Sequence, residues 1–316
     1  MSSTRPPIED LKLRMPDDLD VRHCYRHPDR ETGVSCSNCG RPICHECMIP
    51  AAVGFRCPDC VAQQRRHAGR ARVVTRGEMR RRWQGGVLTG AGATVTRTLI
   101  ALNFVMFVFE VLLSHGQIGA ISTKTAVDLG GLFTPDIAIK HEYWRLFAAM
   151  FLHEGLLHVG VNMLSLYFIG SVFEELAGRG KYLVLYLVSG LAGNVLVFLL
   201  GPAYVVTVGA STAIFGIFGA LFVYVFRNRS AYPNQVLGQL AFWMALNLVF
   251  TFTNSGISWQ GHIGGLIGGI VTLELLTRFG RRPLRAPFVR TDVWAVLAVL
   301  AVLVVIVVWR THSFVA

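Results

Sequence analysis

The feature that most constrains this chain is a run of seven apolar stretches, at about 97–114, 156–176, 181–200, 210–226, 235–253, 260–277 and 291–309. Each is near the length needed to cross a hydrocarbon core of roughly 30 Å. Backbone amides in lipid must be bonded within their own segment, so the stretches predict helices. With 53% hydrophobic residues among 316, the chain is too apolar for an ordinary soluble domain. The apolarity is uneven: residues 1–94 are polar and basic, and most of 95–310 is apolar. The first 20 residues carry charges and no apolar core, so no signal peptide is read and the N-terminus is expected in the cytosol.

The loops set the expected orientation. Arg80, Arg81 and Arg82 precede the first span, Arg179 and Lys181 separate the second from the third, and Arg227 and Arg229 follow the fourth. Arg278, Arg281, Arg282, Arg285 and Arg290 lie between the sixth and seventh. All share one face if the N-terminus is cytosolic, whereas the loops GPAYVVTVG and TNSGISWQG have no Lys or Arg. The long loop 115–155 has only Lys124, Lys140 and Arg145. This bias accounts for much of the net charge of +11 without invoking nucleic acid.

Ser211, in GASTAIFG, and His262, in GHIGGLIGG, then fall at the outer ends of spans four and six. Reactive side chains at membrane depth mark functional sites by default. Serine chemistry needs a hydroxyl, a base beside it, and donors for an oxyanion. Ser211 supplies the hydroxyl and His262 an imidazole base. His158 and Asn162, at i and i+4 in the first turns of span two, face the same level and could donate to an oxyanion, with the unpaired N–H groups of the first turn of span four. No Asp or Glu in the adjacent spans is placed to orient His262, which predicts a Ser–His dyad and no triad. Gly264, Gly265, Gly268 and Gly269 form small-xxx-small pairs beside His262, and Gly216 and Gly219 lie below Ser211, so these two helices can approach closely. Taken singly, a membrane serine is more often a packing residue, a histidine interfacial, an asparagine an interhelical hydrogen-bonder and a glycine stripe packing. Their joint depth favours a site.

These residues resemble the rhomboid intramembrane serine proteases over roughly 95–278. The matching pieces are Trp144-Arg145 in YWRLFAAMFLH, HEGLLHVGVNM with His153, His158 and Asn162, Glu174 in FIGSVFEELAG, GASTAIFG and GHIGGLIGG. The resemblance implies Ser211 as nucleophile, His262 as base, and His158 and Asn162 as oxyanion donors. It gives Gly209 the loop before the serine and Phe215 a place packed against the base. Trp144, Arg145 and Glu174 become structural, the pair fixing the long loop in the outer leaflet and the glutamate bracing helices on the cytoplasmic side. Gly265 and Gly269 support the helix contact. Many family members have Gly after the serine, where this chain has the stiffer Thr212. The seventh span resembles the six-plus-one arrangement of part of the family. The resemblance also implies a transmembrane segment as substrate, cut near its outer end and entering between helices two and five, past Phe242 and Trp243 or the loop 254–260.

All seven cysteines lie between Cys24 and Cys60. In a reducing cytosol such a cluster reads as a metal site. Cys24, His27, Cys36, Cys39, Cys44, Cys47, Cys57 and Cys60 form four spaced pairs, enough for two tetrahedral zinc ions, with redox-labile thiols as the bland alternative. The segment resembles a B-box-type zinc finger, which implies interleaving: Cys24, His27, Cys44 and Cys47 on one ion and the remaining four on the other. His23 and His45 are alternative ligands. A fold of this size needs such staples. The stretch QQRRHAGRARVVTRGEMRRRW, with eight Arg and one Glu, suits anionic headgroups or a plain orienting signal; aromatics do not interleave with its charges, which weakens a nucleic-acid reading.

The expected architecture is an all-α polytopic membrane protein: a tail (1–20), a B-box-like zinc domain (21–62), a basic linker (63–94), a six-helix core (95–278), and a cytosolic loop with a seventh helix (279–316). The expected function is an intramembrane serine endopeptidase, with structural zinc and no catalytic cofactor, in a bacterial plasma membrane with its C-terminus outside. The expected partners are transmembrane protein substrates, membrane lipids and a cytosolic protein on the zinc domain. A catalytically silent relative that binds transmembrane partners is the alternative. A transporter would show repeats among its spans, and a metalloprotease the HExxH pattern; neither is found.

Overall fold

The computed structural model describes residues 22–51, 53–68, 93–232, 234–253 and 256–316. The expected tail 1–20, most of the basic linker with Arg80–Arg82, and part of the loop 254–260 lie outside the described residues. The chain divides into two compact units, Met1–Val74 and Thr75–Ala316, so the division falls inside the expected linker.

The first unit is small. A two-stranded antiparallel ribbon pairs β1 (Ile49–Pro50) with β2 (Phe55–Arg56), and helix α1 (Pro58–Ala68) follows, running past the expected boundary at 62. Its core is Ile43 with Cys24, Cys36, Cys44, Cys47 and Cys57. A single buried aliphatic among thiols is too little apolar burial to hold a domain alone.

The second unit is helical. Its first long helix is α2 (Thr94–Leu113). The loop after it holds short helices α3 (Thr123–Asp128), α4 (Thr134–Ile139) and α5 (Arg145–Ala148), which hydropathy does not reveal because they are only four to six residues long. Then come α6 (Leu156–Ala177), α7 (Arg179–Leu200), α8 (Ser211–Arg227), α9 (Asn234–Thr253), α10 (Trp259–Thr277) and α11 (Arg290–Val315). Among the described residues, α2, α6, α7, α9 and α11 are long and apolar enough to cross a membrane; α8 is a shorter apolar helix. Helix α10 has 19 residues, and Gly264, Gly265, Gly268 and Gly269 dilute its hydropathy. Much of its surface is buried against α7 and α8. Helix α6 contains one π-turn at Leu166–Gly170. Helix α11 runs six residues beyond the apolar stretch, with Arg310 Nε donating to the Phe198 carbonyl.

Helices α7, α8 and α10 form the centre. A Cβ built on Gly265 would lie 1.9 Å from the Thr212 carbonyl oxygen, and one on Gly269 would lie 2.1 Å from that of Gly216. The backbones of α8 and α10 therefore touch, which only glycine allows. The Thr212 side chain sits in a slot opened by Gly193 and Gly261, while Gly265 lies against its backbone. The β-branched residue after Ser211 is thus a packing residue whose side chain is matched by two glycines.

Long-range polar contacts lock the ends. Glu174 accepts the Val95 N–H at 3.0 Å, the Thr96 N–H at 2.8 Å and the Thr96 hydroxyl at 2.8 Å. It thereby satisfies donors that a helix start leaves open. At the same end, Lys181 Nζ donates to the Leu284 carbonyl at 2.8 Å, and Arg282 pairs with Asp292 at 2.6 Å, fixing the turn into α11. In the long loop, buried Arg145 meets Asp136 at 2.9 Å and Glu142 at 2.6 Å and donates to the Val127 and Gly131 carbonyls. The Trp144 ring lies 5.1 Å from the Arg145 guanidinium carbon.

Candidate active site

Ser211 is the first residue of α8. The preceding loop is held on both sides: Leu132 and Thr207 exchange N–H···O bonds of 3.0 Å, and the Gly209 N–H donates to Ala149 at 2.9 Å. Gly209 has φ +136°, and a Cβ there would press on His158 Nε2 at 3.0 Å. Any other residue would be strained and would crowd that imidazole.

His262 lies in the first turn of α10, whose start is capped by the Ser258 hydroxyl accepting from the Gly261 N–H. The glycine contacts bring this turn against the start of α8. His262 Nε2 and Ser211 Oγ are 2.9 Å apart. The Phe215 ring, one turn below Ser211, stacks on His262 with centroids 4.0 Å apart and planes 15° from parallel. His262 is 8% exposed, so its rotamer is held by packing as well as by hydrogen bonds.

His158 and Asn162 follow on the first turns of α6. The Glu154 N–H donates to His158 Nδ1 at 3.4 Å, whereas the Glu154 carboxylate is further away, at 3.9 Å. A neutral ring accepting at Nδ1 carries its proton on Nε2, the nitrogen that faces Gly209. Asn162 is buried, and its Nδ2 has no partner among the described residues. The structure thus brings together Ser211, His262, Phe215, Gly209 and His158. Asn162 lies on the same helix as His158, while Trp144, Arg145 and Glu174 stand apart as the packing residues described above.

Two residues escape the sequence reading. Glu110, fully buried in α2, accepts the His153 N–H at 2.9 and 3.1 Å. His153 in turn packs edge-on against His158 at 5.2 Å. Glu110 is the only acid in its span, and an intramembrane carboxylate is itself a signal. The other is Thr251 on α9, whose Oγ1 lies 2.7 Å from His262 Nδ1. The imidazole has a second partner, and it is a hydroxyl and not a carboxylate.

In the first unit the donor atoms of Cys24, His27, Cys44 and Cys47 lie within 4.8 Å of one another, as do those of Cys36, Cys39, Cys57 and Cys60. His27 Nδ1 is 3.3 Å from Cys44 Sγ, 3.5 Å from Cys47 Sγ and 3.9 Å from Cys24 Sγ. Cys39 and Cys57 Sγ are 3.7 Å apart. A tetrahedral zinc with Zn–S near 2.3 Å has edges of about 3.8 Å, so both quartets can hold a metal ion. Burial pushes the Cys24 and Cys36 thiols up, but surrounding N–H donors outweigh it and both settle at about 6, whereas burial and neighbouring thiols push Cys47 up to about 11; without a cation, crowded thiols cannot all ionise. His45 belongs to neither quartet; it is exposed, 3.9 Å from Glu46. His23 is likewise outside both.

Fold and site define a polytopic helical membrane protein with a serine–histidine pair at the starts of two closely packed helices. Residues 140–279 match the Rhomboid domain family model. The chain is 34% identical over 244 residues to "Rhomboid protease GluP" of Bacillus subtilis (strain 168), covering 73% of this chain and 47% of that relative. It is 32% identical over 181 residues to "Putative rhomboid protease YdcA" of the same organism, covering 56% of this chain and 85% of the relative. It is 35% identical over 167 residues to "RHOMBOID-like protein 1" of Arabidopsis thaliana, covering 52% and 42%. The chain belongs to the rhomboid family, and spans less than half the length of GluP.

Proposed function

We propose that the protein is an intramembrane serine endopeptidase that cleaves transmembrane segments near their extracytoplasmic ends. The observation that carries this reading is the 2.9 Å contact between Ser211 Oγ and His262 Nε2, on an imidazole clamped by Phe215. In the proposed reaction Ser211 Oγ attacks the scissile carbonyl carbon as its proton passes to His262 Nε2. The carbonyl oxygen becomes an oxyanion that accepts from His158 Nε2–H, Asn162 Nδ2–H and the unpaired amides at the start of α8. The amine leaves with the proton from His262. Water, deprotonated by the same nitrogen, then hydrolyses the acyl-enzyme and restores Ser211.

Proteases named among the relatives support this reading. A substrate helix has its amides bonded internally, so small or helix-breaking residues near the cut favour cleavage. The proposed entry lies between α6 and α9, past Phe242 and Trp243, whose side chains are exposed. The arginine bias of the loops supports an N-terminus in the cytosol of a bacterial cell, a C-terminus outside, and the site near the outer face. The proposed domains are a zinc-stapled domain over 21–62, whose last helix runs on to Ala68, a basic linker over 63–94, a protease core over 95–278, and the loop and last helix over 279–316. Two structural zinc ions fit the quartets, and with all four positions filled by protein they would staple a partner-binding module and leave no open position for chemistry.

The test is cleavage of a tagged single-span substrate by purified protein in liposomes. Wild type is expected to cut, and fold-matched Ser211→Ala and His262→Ala are expected not to. Cleavage by either variant at the wild-type rate would overturn the assignment.

A further inference from the structure

His262 has two nitrogens, and a base facing Ser211 must keep Nε2 unprotonated. The neutral ring then carries its proton on Nδ1. What selects that tautomer is the network behind the ring. Thr251 Oγ1 lies 2.7 Å from His262 Nδ1 and 2.7 Å from the carbonyl oxygen of Asn247, one turn earlier on α9. A carbonyl can only accept, and the hydroxyl has a single proton. If that proton pointed at Nδ1, two bare acceptors would face each other at 2.7 Å. Both contacts are satisfied only when the threonine proton goes to Asn247 and the Nδ1–H donates to Oγ1.

We propose that Thr251 is a positioning residue that holds His262 as the Nδ1–H tautomer, so that Nε2 is ready to take the Ser211 proton. The inference rests on reading Ser211 and His262 as nucleophile and base. In the attack, the Oγ–H bond breaks, the proton joins Nε2, and the imidazolium keeps its Nδ1–H on Thr251. Threonine takes no proton and carries no charge. It does for this imidazole what a carboxylate does in a triad, more weakly, as a neutral acceptor must. Thr251 and Leu240 are the buried residues of α9 among those described, while Phe242, Trp243, Leu246, Val249, Phe250 and Phe252 are exposed. Helix α9 thus holds to the centre loosely and brings the base its partner.

The experiment compares wild type, Thr251→Val, Thr251→Ser and Ser211→Ala in detergent micelles. Three readouts are used: the rate of phosphonylation by a fluorophosphonate, kcat and KM on a single-span substrate, and the 15N shifts of labelled histidine. Thr251→Val keeps the shape and removes the acceptor. It is expected to lower labelling and kcat about 10-fold or more, with KM changed less than about twofold. Its His262 signals should move from the Nδ1–H tautomer toward a mixture. Thr251→Ser restores the oxygen and should recover most of the rate and the tautomer. Val and Ser variants that lose activity equally, or a Val variant as fast as wild type with an unchanged tautomer, would overturn the role of Thr251. Labelling of Ser211→Ala as fast as wild type would instead overturn the dyad, and the role of Thr251 with it.

Discussion

Replacing Gly265 with alanine tests whether the site is built by backbone contact between α8 and α10. The added Cβ would lie 1.9 Å from the Thr212 carbonyl oxygen. That oxygen belongs to a helix backbone, so no side chain can swing aside. Ordinary contact near 3.4 Å requires the helices to part locally by roughly 1.5 Å. His262 lies one turn before Gly265, and Thr212 directly follows Ser211. The same parting therefore stretches the 2.9 Å Ser211–His262 contact beyond hydrogen-bond range. Overpacking of this kind costs about 1–3 kcal/mol of stability. A displacement of about 1 Å at a reacting pair costs on the order of 100-fold in rate. The expected outcome is a protein that still folds, with substrate cleavage and fluorophosphonate labelling down about 100-fold. Gly160→Ala is the control, because a Cβ there meets nothing within 4 Å. Its cleavage and thermal midpoint should match wild type. Gly265→Ala with wild-type cleavage and an unchanged midpoint would refute the close approach of α8 and α10.

Other perturbations test the frame around the site. Arg145→Lys keeps the charge but loses the fork that reaches Asp136, Glu142 and two carbonyls, and should cost about 2–3 kcal/mol by thermal or denaturant unfolding; an unchanged midpoint would contradict the buried network. Glu174→Gln turns one acceptor oxygen into a donor facing N–H groups of α2, and should lose about 1–3 kcal/mol and speed hydrogen exchange at Val95 and Thr96. Unchanged exchange there would show that the carboxylate does not cap α2. Atomic emission on the full chain should find two zinc ions per molecule, removable by a strong chelator with loss of structure around Ile43. A metal-free protein with the same fold would contradict the stapled domain.

Much of this was legible in the sequence because lipid leaves few alternatives for a backbone. Apolar length located all seven helices, and small-residue spacing located the α8–α10 contact. The short helices around Arg145 were not legible, since four to six residues carry no usable periodicity. Ser211 and His262 stood out because they are polar at the ends of apolar spans. Thr251 did not, because a threonine bonded back to its own helix is common in membranes and gives no sign of a second partner. Glu110 was visible as a lone acid, but its partner is a backbone N–H 43 residues away, which spacing does not reveal. The interleaved quartets followed from a resemblance, since four spaced pairs permit several pairings.

The most direct test of the central claim is to treat the purified protein with a fluorophosphonate and locate the adduct by peptide mass spectrometry. A Ser211 activated by His262 should carry a single adduct, lost in His262→Ala although the serine is still present. An adduct on another residue, or labelling of Ser211 that persists at the same rate without His262, would show that these two side chains do not act as nucleophile and base.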